Sequence, residues 1–151
     1  MSNWVATEIV SQAKLSKRSN VLKRFILIAK ELWEKGNFHT SIAIVSSLNS
    51  NPVNRLKSTW KEVNKKYHKQ FEDIESKSSP LRHYKSYRRT LESFLLQKKV
   101  CFPFLGVITK DVNDIDFGWP DTEQNGFINF EKMLLNYRSI SSSKFFSLFF
   151  V

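Results

Sequence analysis

The side chains able to carry out bond chemistry are few and scattered. Three histidines (His39, His68, His83) and a single cysteine, Cys101, stand too far apart along the chain to suggest a metal site. No two of the four glycines have the spacing of a phosphate-cradling loop, and no Gly-x-Ser-x-Gly elbow occurs. Carboxylates do gather at Asp111, Asp114, Asp116, Asp121 and Glu123. A calcium loop starting at Asp111 would need Gly at its sixth position and Glu at its twelfth, where Asp116 and Thr122 stand. Cys101 lies between Val100 and Phe102 with nothing nearby to lower its pKa, so it reads as a small buried hydrophobe. Neither a cofactor nor a metal is expected.

Binding is better represented than catalysis. The net charge is +10, which attracts nucleic acid, an anionic membrane face or an acidic protein without choosing among them. One basic group holds Lys14, Lys17, Arg18, Lys23 and Arg24, and another Arg82, Lys85, Arg88 and Arg89. Either could attract phosphates if it formed one face. No groove-reading motif accompanies them, and the aromatics sit at core spacing rather than on an exposed sheet. A basic helical nucleic-acid binder therefore stays open as an alternative.

The elements that would position such a surface are helical. At 151 residues with 41% hydrophobic residues, thirteen Phe and only four Gly and four Pro, one domain with one core is expected. The fold class is all-α, an irregular multi-helix bundle. A first helix is expected over residues 2–15, with a polar loop from Lys14 to Asn20. Next, Val21, Leu22, Phe25, Ile26, Ile28, Ala29, Leu32 and Trp33 form a wide apolar stripe that Gly36 stops. Thr40 to Leu48 is apolar nearly all round and reads as buried; Pro52 starts a helix that continues through Val53, Leu56, Trp60 and Val63. Tyr67, Phe71 and Ile74 share a face, and a helix opening at Pro80 runs through Leu81, Tyr84, Tyr87, Leu91 and Phe94. The stretch 97–106 should cross the core. A short helix from Val107 to Phe117, a polar loop at Gly118–Gly126 and a helix from Ile128 to Ile140 complete the domain. Residues 141–151, ending in Phe-Phe-Ser-Leu-Phe-Phe-Val, form an atypical hydrophobic tail, too short to span a bilayer and of aggregation-prone composition.

Spaced blocks add a specific resemblance. Ala43 to Trp60 matches A-I-x-S-x-L-x-S-x-x-V-x-R-L-x-x-T-W, preceded by Ile28-Ala29-x-x-Leu32 and the Asn37-Phe38 turn. Trp4-Val5-Ala6-Thr7-Glu8-Ile9, Tyr84 to Arg88, Pro103-Phe104-Leu105-Gly106 with Asp111, and Gly126 to Lys132 follow in order, with Val100 where a proline would stand. This series resembles the catalytic domain of Ras guanine-nucleotide exchange factors over residues 1–140. The resemblance implies a domain that binds a Ras-family small GTPase, ejects its nucleotide by wedging the switch regions, and needs no bond chemistry of its own. It places the switch-binding asparagine at Asn49, with Asn51 and Asn54 beside it and a contacting histidine at His83. On local grounds alone Asn49 reads first as the end of its helix, and it is the resemblance that turns the reading toward a contact. Asn113, Ile115, Asp116 and Phe117 fall on the start of a helical hairpin. There Asp116 keeps one family acid, Phe117 replaces a second, and Asn113 is more polar than usual. A GTPase-binding scaffold that promotes no release is the alternative within the family.

The resemblance also implies that the domain is partial, with helices before Trp4 and the rest of the hairpin after Ile140 lying outside this chain. Faces such as Phe25, Ile44 and Phe94 are then expected to be partly uncovered, and the product poorly soluble and weakly active. No apolar run reaches the roughly 20 residues of a membrane span, and the start lacks a signal-peptide layout. A cytoplasmic location is expected, at the inner face of the plasma membrane where the positive charge meets anionic lipid.

Overall fold

The computed structural model describes residues 2–141; the tail over 142–151 lies outside the described residues. Nine helices follow one another among these residues: α1 (Ser2–Val10), α2 (Leu15–Glu34), α3 (Phe38–Leu48), α4 (Asn51–Asn54), α5 (Lys57–Glu62), α6 (Lys65–Ser78), α7 (Leu81–Leu96), α8 (Leu105–Gly118) and α9 (Phe130–Ser141). The all-α reading holds. Helix α2 is the central rod, with α1, α3, α5 and α6 packed around it. Its buried positions Leu22, Phe25, Ile26, Ala29 and Trp33 recur every three to four residues, the period that keeps one stripe on the core. Helix α3 buries Phe38, Ile42, Ile44, Val45 and Leu48, as its apolar composition requires.

The core closes through edge-to-face aromatic contacts. Phe38 meets Trp33 at 5.0 Å, Phe94 at 5.2 Å and Tyr87 at 5.6 Å between ring centroids. This geometry sets the positive edge of one ring against the negative face of another. Of the stretch expected to cross the core only Cys101 and Pro103 are buried, while residues 97–100 and 105–106 are exposed. At this short crossing Phe102 donates to the Gly36 carbonyl (2.8 Å) and accepts from the Phe38 amide (3.0 Å). Gly36 makes this crossing feasible. It adopts φ +80°, and a Cβ there would lie 2.9 Å from the Phe94 ring and 3.0 Å from the Val100 carbonyl.

Several expectations are corrected. The loop at Lys14–Asn20 is instead the first turn and a half of α2, and α1 already ends at Val10. No Gly or Pro interrupts residues 14–20; Lys14, Ser16, Lys17 and Asn20 face solvent, Ser19 is buried, and Arg18 bonds Thr59 Oγ1 (2.8 Å) and the Gln12 carbonyl (2.9 Å). Ile28 lies off the buried stripe of α2 and is 45% exposed. The helix expected through Val53–Val63 is broken between α4 and α5, where the Trp60 indole donates to the Val53 carbonyl (3.1 Å). Arg82, His83 and Tyr84 adopt left-handed backbone angles (φ 52–58°), so the right-handed run of α7 starts at Lys85 and Leu81 is left 77% exposed. For L-residues that conformation costs about 1–2 kcal/mol each. The last loop extends to Asn129, whose side chain accepts from the Lys132 amide (3.1 Å) and caps α9. Phe25 and Ile44 are not uncovered, at 7% and 3% exposed, whereas Phe94 is only partly buried, as expected. Exposed apolar surface lies on the hairpin, at Phe117, Phe127, Phe130, Met133 and Tyr137, and also off it, at Trp4, Leu81, Leu96 and Val100.

Candidate functional site

Helices α3, α6 and the start of α7 enclose a groove of about 530 Å³. Ile42, Val45, Pro80 and Phe104 give it an apolar floor; Asn49, Glu72 and Glu75 supply polar groups. Asn49 closes α3 as its C-terminal cap and remains exposed. Its Nδ2 donates to Glu75 Oε1 on α6 at 2.7 Å, which aims the amide across the mouth of the groove. Asn49 thus ends its helix and also lines a cavity. Asn51 and Asn54 sit exposed on α4, the single turn that follows. They are near Asn49 in sequence but do not line the groove. His83 is exposed on the left-handed turn, its carbonyl accepting from Arg88 Nε (2.8 Å); Tyr84, not His83, lines the groove.

The second cluster stands on the α8–α9 hairpin. Phe104 precedes α8 as its N-terminal cap, so the hairpin springs from a residue of the groove wall. Two long-range contacts fix that base. The Phe104 amide donates to the buried Tyr87 hydroxyl (2.8 Å), and Arg88 pairs with Asp111 (2.6 Å). Burial pushes the Tyr87 phenol up to about 12, although the Phe104 hydrogen bond works against that shift. The hydrogen bond to Asp111 raises the Arg88 pKa further.

Asn113, Asp116 and Phe117 are spaced i, i+3, i+4 and share one face of α8. Phe117 is 91% exposed, while Ile115 is half-buried off that face. Asp116 is held from behind. Lys132 of α9, with its side chain only 8% exposed, reaches Asp116 Oδ1 at 2.8 Å and Asp121 Oδ1 at 2.6 Å, with the Asp116 carbonyl at 3.3 Å. Hydrogen bonds to the two carboxylates raise the Lys132 pKa, so the charge persists at neutral pH. Asn129 donates to the Pro120 carbonyl (3.0 Å), and its backbone amide to the Asp121 carbonyl (2.9 Å), pinning the loop between the helices. Sequence reasoning placed Asn129 and Lys132 in a block without giving them this role. It also missed Glu75, 26 residues from Asn49, for which local periodicity carries no signal.

The histidines and the cysteine stand apart from one another in the fold. His39 packs against Phe102 and Phe104, His68 meets the Trp60 carbonyl (2.9 Å), and His83 is on the surface. Cys101 is buried, and burial raises its thiol pKa, the reverse of a nucleophile's setting. Among the described residues no group of three or more His, Cys, Asp or Glu converges. Among the described residues the surface offers a groove with an apolar floor and a polar mouth, and a hairpin braced by Lys132 that carries an exposed Phe117 ring.

Comparison with known proteins gives the class. The RasGEF domain model matches residues 1–134, and the chain belongs to the RasGEF family. It is 37% identical over 136 residues to Ras guanine nucleotide exchange factor M of Dictyostelium discoideum, covering 89% of this chain and 14% of that protein. Rap guanine nucleotide exchange factor 6 of Homo sapiens is 36% identical over 137 residues, 91% of this chain and 8% of that protein. The human Ras-GEF domain-containing family member 1C is 35% identical over 138 residues, 86% and 29% of the respective lengths. The chain therefore spans less than a third of the length of each of these relatives.

Proposed function

We propose that this chain is a GTPase-engaging part of a guanine-nucleotide exchange factor acting on a Ras-like small GTPase. The observation that carries the reading is the braced hairpin: Asp116 locked by Lys132 beside a Phe117 ring that is 91% exposed. Asn49, aimed across the adjoining groove by Glu75, supplies the second contact. Family membership supports both assignments. In this reading Asn49, Asn51, Asn54 and His83 meet the switch region, and Asn113, Ile115, Asp116 and Phe117 enter beside the nucleotide phosphates.

No bond is made or broken by the exchange factor. Asp116 places a negative charge where phosphate oxygens and their metal ion lie, and Phe117 occupies volume there. Both effects oppose bound nucleotide and neither opposes the empty protein. By linkage, whatever factor the exchange factor removes from nucleotide affinity, nucleotide removes from the affinity of the exchange factor. Differential binding of the two states is the whole of the catalysis. The reaction takes place on the cytoplasmic face of the membrane, and nucleic acid has no part in it.

A specific observation favours a second reading, a binding scaffold that releases no nucleotide. Phe117 stands where the family resemblance places an acid, and Asn113 where it places a less polar side chain. Release of fluorescent GDP from Ras and Rap proteins, with this chain at micromolar concentration, separates the two. Saturable acceleration, slow but abolished by Asn49→Ala, supports exchange. Binding to the empty GTPase without acceleration supports the scaffold, and no binding at all overturns both.

A further inference from the structure

A second groove, about 300 Å³, abuts the first and shares Ser76 and Ser79 with it. Arg82, Lys85, Ser86 and Arg89 form its other wall, with Leu81 at the lip. Lys85 and Arg89 are one turn apart on α7, so their charges lie on the same face. Arg82, Lys85 and Arg89 are exposed, and among the described residues none of them forms an ion pair. Their neighbour Arg88 is different: Asp111 neutralises it. The hydroxyls are similarly uneven. Ser76 spends its proton on the Asp73 carbonyl (2.8 Å), whereas Ser79 accepts from the Leu81 amide (3.3 Å) and keeps its proton to give. The adjoining acids, Glu72 and Glu75, line the other groove, and Glu75 is taken up by Asn49.

Three uncompensated cations and a free hydroxyl in one concavity make a receptor for clustered phosphates. We propose that this groove binds the headgroup of a polyphosphorylated lipid in an anionic membrane. Two features select a lipid over a soluble phosphate. Leu81 is 77% exposed directly beside the cations, the pairing of apolar and basic side chains found where a protein rests in a headgroup layer. The net charge of +10 reinforces attraction to an anionic surface. The concave shape selects clustered phosphates over singly charged headgroups. This inference uses none of the GTPase-contact residues, so it stands or falls separately from the exchange reading.

Vesicle co-sedimentation of the full chain tests it. The vesicles are phosphatidylcholine alone, phosphatidylcholine with 5% phosphatidylinositol bisphosphate, and phosphatidylcholine with phosphatidylserine at matched charge. Lys85→Gln/Arg89→Gln is compared with Lys14→Gln/Lys17→Gln, which removes the same charge from exposed cations of the other basic group. Circular dichroism confirms that both remain folded. The expected result is preferential binding to the bisphosphate vesicles, lost about 30-fold in the groove variant, from the attraction of two cations to an anionic surface, and little changed in the control. Equal losses in the two variants, equal binding to phosphatidylserine, or binding of soluble inositol trisphosphate without vesicle binding overturns the proposal.

Discussion

Replacing Tyr87 with Phe removes one oxygen from the core and tests what holds the hairpin to the body. The Tyr87 ring is buried against Trp33 and Phe38, and Phe keeps those contacts. What disappears is the acceptor for the Phe104 amide at 2.8 Å. A lost hydrogen bond that strands a partly buried donor costs about 1–3 kcal/mol. A second signature follows from the phenol. Its folded pKa is pushed from 10.0 to about 12. The folded protein therefore keeps its proton where the unfolded chain gives it up. That contribution is fully present below pH 10 and is lost as pH rises toward 12, at about 1.4 kcal/mol per pH unit. The wild type should be more stable than Tyr87→Phe by about 1–3 kcal/mol at pH 8. The gap should stay level to pH 10, then close by roughly 2–3 kcal/mol toward pH 12. Urea unfolding followed by circular dichroism at pH 8, 10, 11 and 12 measures it. A gap that does not change with pH, or no gap at pH 8, would refute the reasoning.

Three further outcomes are expected. Gly36→Ala should lose roughly 2–4 kcal/mol, because a Cβ at φ +80° is strained and meets Phe94 at 2.9 Å; a thermal melt checks it. Asn49→Ala should leave stability within about 0.5 kcal/mol, since the side chain is exposed, while weakening affinity for a nucleotide-free GTPase roughly tenfold or more. Lys132→Met should slow GDP release on the order of tenfold by freeing Asp116 from its support. Lys132→Arg should restore much of that rate, a rescue that a purely space-filling role would not give.

Much of the fold was legible because it is written in local periodicity. The stripe Leu22–Trp33, the glycine that ends it, and the apolar α3 follow from spacing alone. What escaped depends on contacts between distant residues. The start of α2 hides among solvent-facing cations that look like a loop. The break between α4 and α5 is marked by the Trp60 indole reaching a carbonyl seven residues earlier. Leu81 reads as a core residue until the left-handed turn leaves it in solvent. The site shows the same division. Asn49 and Asp116 could be named from the blocks around them, but the partners that orient them could not. Glu75 lies on another helix, and Lys132 joins α9 to the end of α8 only once the hairpin folds back.

The central claim is a preference for an emptied partner, and an affinity comparison tests it most directly. Binding of this chain to a Ras-like GTPase stripped of nucleotide is set against binding to the same GTPase loaded with GDP and magnesium. The account predicts markedly tighter binding to the stripped form, with the preference reduced when Asn49 or Lys132 is replaced. Equal affinity for both forms, or no binding to either, would contradict it.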